Sequence, residues 1–172
     1  MVKISNKQIA EIADSIDAGD ICFINKDTGE LIFMMNNEML SYHGISWEDD
    51  FDEEEEDEEF DVSSNWQDEL YTQVKADMAK IYSWEHVIRI EKPDSRKGFE
   101  IMERFVKEVI PEGKLKDRFW NALSKSHPFR NFNNVVHNCE LREDWFEFKQ
   151  NALEEYVRGI LKTYYEKENT VI

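Results

Sequence analysis

Lys125, His127 and Arg130 stand close together in Lys125-Ser126-His127-Pro128-Phe129-Arg130-Asn131-Phe132, around a proline suited to the first turn of a helix. Guanidinium groups and the free N–H groups of a helix start both favour anions, so this hinge could hold a phosphate or a carboxylate. The plainer role for Arg130 is to stack on its aromatic neighbours or to pair with Glu140, Glu143 or Asp144. Other constellations fall short of their chemistry. Ser126 and His127 are adjacent, so their side chains diverge, and no orienting carboxylate is identified. His137 and Cys139, two apart on a helix, point in different directions, and His86, His127 and Cys22 supply no second close pair for zinc. Cys22 and Cys139 match no CxxC or disulfide framework and read as small apolar residues. No GxGxxG, GxxxxGK[ST] or HExxH occurs. No catalytic residue, metal site or cofactor is therefore expected, and the balance leans away from an enzyme.

A second kind of chemistry is purely electrostatic. From Glu48 to Asp61, twelve of fourteen positions are acidic, Phe51 and Phe60 being the exceptions. The formal charge is −17, and taking away these twelve leaves −5 for the rest of the chain. Acidity here belongs to one tract. It lacks the glycine and alternating ligand spacing of an EF-hand loop. Acidic charge with interleaved aromatics can steer and anchor a basic protein, which makes Trp47, Phe51, Glu54, Glu55, Phe60 and Trp66 the candidate partner-binding residues. The tract also suits a solvated loop whose aromatics tuck back onto the domain. A phosphate-tracking surface clusters Lys and Arg, so direct nucleic-acid binding is not expected.

These residues need a scaffold. With 172 residues, 41% of them hydrophobic and 13% aromatic, the chain suffices for one domain over residues 1–172, interrupted by an acidic insertion at about 46–63. No apolar stretch approaches the ~18–20 residues of a membrane span, and the first residues lack the apolar run of a secretory signal. The expectation is a soluble, cytoplasmic protein without membrane contact.

Ser5 can cap a helix through Ile9, Ile12, Ala13 and Ile16 that Gly19 ends. Ile21–Ile24 and Leu31–Met34 form a β-hairpin about a turn in which Asp27 and Gly29 supply the geometry. Apolar residues at nearly every strand position imply that both faces are partly covered. Met39, Leu40 and Tyr42 suit a short helical or extended piece. Helical spacing returns from Asn65 to Tyr82, and Trp84–Ile90 alternates as a third strand closed by Pro93. Four helices follow: one capped by Asp94 or Ser95 and stopped by Pro111 and Gly113, one through Leu115 to Leu123, one begun by Pro128, and one from about Arg142 to Tyr165. The last carries Trp145, Phe148, Ala152, Tyr156 and Ile160 along one side. The fold class is α+β, a small antiparallel sheet packed by a mostly helical C-terminal half.

Met102-Glu103-Arg104-Phe105, Leu115 to Leu123, Pro128-Phe129-Arg130-Asn131-Phe132 and Trp145-Phe146-Glu147-Phe148 together resemble the bacterial Uncharacterised Protein Family 0158. The Asp27-Thr28-Gly29-Glu30 hairpin is similar to its first half, so the resemblance spans most of the chain outside the acidic insertion. Asn131 stands where the family usually has a second arginine, Asn133 and Asn134 replace a more charged pair, and Arg104 replaces an acidic residue. An anion site built on that arginine pair in relatives would be weakened or absent here. The resemblance implies a fold and no reaction.

Overall fold

Two short apolar runs and one alternating segment build the sheet, and a computed structural model, which describes residues 3–42 and 65–168, gives its register. Strands β1 (Asp20–Asn25), β2 (Leu31–Met35) and β3 (Val87–Ile90) pair antiparallel in the order β2-β1-β3. Cys22 faces Phe33 on one side and Ile90 on the other, which makes β1 the central strand. That position explains why β1 is buried from Ile21 to Asn25 while β3, at an edge, alternates exposed and buried.

The described residues fall into two compact units. One comprises those of Met1–Ser5 and Ser15–Glu91 and holds the sheet. Its helices are the last turn of α1 (Asn6–Ala18), the short α2 (Asn37–Tyr42) and α3 (Asn65–Tyr82). Ile21, Phe23, Ile32 and Met34 share one sheet face and pack with Met78 and Ile81 of α3, flanked by Val74 and Trp84. Cys22, Ile24, Ile88 and Ile90 point to the opposite face and are also fully buried. Both faces are covered, as the unbroken apolar runs require. Gly19 ends α1 with φ 109°, and its carbonyl accepts from Asn36 Nδ2 at 2.7 Å.

The hairpin turn is organised by Asn25 together with Gly29. Asn25 is buried, and its Oδ1 accepts from the N–H groups of Asp27 (2.9 Å) and Thr28 (3.0 Å). Gly29, at φ 75°, donates to Asn25 O at 2.7 Å. Asp27 instead reaches His86 Nδ1 at 3.2 Å, where the backbone N–H of Lys26 also meets His86 O at 3.0 Å. The third strand is shorter than its alternation suggests, because Trp84 packs against the α3 cluster rather than entering the ladder.

The other unit contains the described residues of Asn6–Asp14 and Lys92–Ile172 and is helical. Helices α4 (Ser95–Glu108), α5 (Lys114–Ser124), α6 (Pro128–His137) and α7 (Arg142–Glu168) follow in order. Asp94 caps α4, its Oδ1 accepting from Lys97 N at 2.7 Å. The far end is held by the buried Lys116, whose Nζ donates to Lys107 O (3.4 Å) and Glu112 (2.7 Å). Phe105 is the centre of the core: its ring lies 6.2 Å from Phe119, 6.2 Å from Phe132, 5.1 Å from Trp145 and 5.5 Å from Phe148. These are edge-to-face arrangements, the favourable geometry for aromatic quadrupoles. Ala13 of α1 joins the same cluster, and Gln150 Nε2 donates to Ala10 O at 3.3 Å. Among the described residues no helix is long and apolar enough to cross a membrane.

Candidate functional site

The hinge between α5 and α6 is built by a left-handed residue and a returning side chain. Lys125 leaves α5 in an extended conformation, and His127 sits at φ 59° and ψ 54°, uncommon for a residue other than glycine. That turn lets Pro128 start α6. His127 O accepts from Asn131 N at 3.1 Å, and Asn131 Nδ2 donates back to Ser126 O at 2.7 Å. Asn131 therefore fastens the hinge with a hydrogen bond. The two phenylalanines part company here. Phe132 is fully buried, its ring 4.7 Å from Trp145, while Phe129 is 40% exposed and leans on Gly98 of α4. The aromatic framework thus joins α6 to α7 through Phe132 and Trp145.

Lys125, His127 and Arg130 are all exposed around the start of α6, whose first turn carries no acidic residue. No ion pair joins Arg130 to Glu140, Glu143 or Asp144 among the described residues. The rings that do carry cations belong to other partners: Arg142 lies over Phe146 at 5.3 Å and Lys107 over Trp120 at 5.7 Å. Of the partner-binding candidates, Trp47, Phe51, Glu54, Glu55 and Phe60 lie outside the described residues, as does the acidic insertion. Trp66 falls in the first turn of α3.

His137 is exposed at the end of α6, and Cys139 Sγ donates to Val136 O at 3.4 Å. Both cysteines are free. Among the described residues no three His, Cys, Asp or Glu side chains converge as a metal site.

A second feature escaped the sequence reading. Arg104, on α4, pairs with Glu108 one turn on (3.4 Å) and with Glu155 of α7 (3.2 Å), and its guanidinium lies 5.6 Å from the Phe148 ring centre. Burial pulls its pKa down, but hydrogen bonds to Glu155 and Glu108 and their negative charge outweigh this and hold it above its ordinary value. Beside this pair an open cleft of about 350 Å³ runs between α4 and α7. The buried stripe of α7 passes through Leu153, Val157 and Leu161. Tyr156 and Ile160, expected on the packed side with Trp145, are only half-buried and line the cleft instead. Their grouping with Trp145 in the sequence gives no sign of this opening.

A model of the Uncharacterised protein family (UPF0158) matches residues 51–165. The matched span takes in most of the acidic tract, α3, β3 and the helices from α4 into α7, and leaves the hairpin outside. No curated protein and no solved structure matches the chain. With the match covering roughly two-thirds of its length, the chain belongs to UPF0158, an uncharacterised bacterial family.

Proposed function

We propose that this chain is a non-enzymatic interaction or regulatory module that holds a basic protein through its acidic tract. The observation that carries the reading is the concentration of twelve carboxylates between Glu48 and Asp61, against a residual charge of −5 elsewhere. Such a local field raises the encounter rate with a cationic surface, and Trp47, Phe51, Phe60 and Trp66 supply the apolar anchors that charge alone lacks. Glu54 and Glu55 sit at the middle of the run. The test compares the full chain with a variant in which residues 49–59 are Ser and Gly. An oligolysine peptide and cell-extract pull-downs serve as the two probes. The intact chain is expected to bind the peptide in a salt-sensitive way and to retain partners that the variant loses. Identical binding by both chains at every salt concentration would sink the idea.

A second reading places an anion at the hinge. What favours it is the exposure of Lys125, His127 and Arg130 around a helix start that carries no acidic residue in its first turn. Inorganic phosphate should then raise the melting temperature of the protein, and Arg130→Ala should abolish that rise. Equal stabilisation of both proteins would remove Arg130 from the site.

A further inference from the structure

Gly159 stands in the middle of α7, although glycine is the poorest helix former after proline. A Cβ at this position would meet nothing within 4 Å, so no close contact in the described fold demands the missing side chain. The bare backbone lines the cleft between α4 and α7. With a volume of about 350 Å³, that cleft falls within the range of small-molecule sites, roughly 300–1,000 Å³. The half-buried Tyr156 and Ile160 give it apolar surface over the buried Ile101; Lys97 and Arg104 place two cations along its α4 wall, and Glu155 one carboxylate on the α7 side.

The two cations differ in availability. Arg104 is held by Glu108 and Glu155. Lys97 Nζ pairs with Glu100 of its own helix at 3.1 Å, and Glu100 has a second partner in Arg96 at 3.6 Å. Lys97 can therefore turn to a new anion while Glu100 keeps a counter-charge, and exchanging one exposed ion pair for another costs little.

We propose that this cleft binds a small amphipathic anion. Its apolar body lies over Tyr156, Ile160 and the Gly159 backbone, and its charged end pairs with Lys97. This site is separate from the acidic tract and from the hinge, and its test leaves both untouched.

Anilinonaphthalene sulfonate, an apolar ring system bearing one anion, is a suitable probe of the full chain, followed by two-dimensional amide NMR. Saturable shifts are expected at residues 97–104 and 152–163. Gly159→Leu, which fills the open space, should weaken binding by at least about tenfold without lowering the melting temperature. Lys97→Gln should weaken it several-fold and flatten its salt dependence. Shifts confined to other residues, or unchanged affinity in a folded Gly159→Leu protein, would overturn the proposal. So would shifts at these same residues on concentrating the protein without probe, which would assign the cleft to a second copy. Should Gly159→Leu not fold, the shift map of the native chain and the Lys97→Gln affinity decide the matter.

Discussion

Phe105 and Phe129 are the same residue type in two different physical situations. Phe105 touches four aromatic rings with no exposed surface, so truncating it leaves a cavity that four neighbours from three other helices cannot jointly fill. Phe105→Ala should cost about 3–5 kcal/mol in urea unfolding, the range for large aromatic truncations in a core. Phe129→Ala should cost well under half of that, because its ring is 40% exposed. Equal losses would show that the hinge aromatic carries more of the fold than its exposure suggests. The Arg104 pair offers a contrasting case: Arg104→Met should cost no more than about 1 kcal/mol, since Glu155 and Glu108 are open to solvent and screening is strong. The raised pKa of Arg104 means this contribution is complete below arginine's ordinary range and is lost only above it. Stability measured from neutral pH upward should therefore show no step from Arg104 until strongly alkaline conditions.

Helices and strands were largely readable because period and punctuation agree. The Asp94 cap, the glycine after Ala18 and the proline opening α6 each mark a boundary that the structure keeps. What stayed hidden was tertiary. Asn25 opens the turn segment in the sequence, and only folding reveals that its buried amide, rather than the Asp27 side chain, orders the turn. The partner of β3 depends on which hairpin strand is central, and the unbroken burial of β1 from Ile21 to Asn25, against the alternating burial of β2, settles this. The cleft is formed by helices far apart in the chain, and Tyr156 and Ile160, grouped with Trp145 by spacing, turn towards it only in the fold. The tract residues proposed for partner binding are legible as charge alone. The two interior helix glycines give an element-scale test. Gly159→Ala meets open space and should stabilise the protein by up to about 1 kcal/mol. Gly98→Ala gains the same propensity but brings a Cβ within 3.3 Å of Phe129 Cε1, so its gain should be smaller. A larger gain at Gly98 than at Gly159, by thermal unfolding, would contradict this ordering.

At the scale of the molecule, the chain does not divide at a single point. Residues 6–14 of α1 count with the helical unit although they precede the whole sheet. Ala13 is part of the aromatic core, and Ala10 accepts from Gln150. A fragment beginning at Lys92 therefore lacks a piece of its own core. It should unfold at lower urea than the full chain, and a peptide covering residues 6–18 should restore part of the difference. No effect of the peptide would show that α1 contributes nothing to the helical unit on its own. The same arrangement bears on how the protein is made. At roughly 5–20 residues per second, α1 emerges on the order of ten seconds before the stretch of α7 that receives it. During that wait Ala10 and Ala13 lack their α7 neighbours on the nascent chain, and the helical core closes only as the last helix is synthesised.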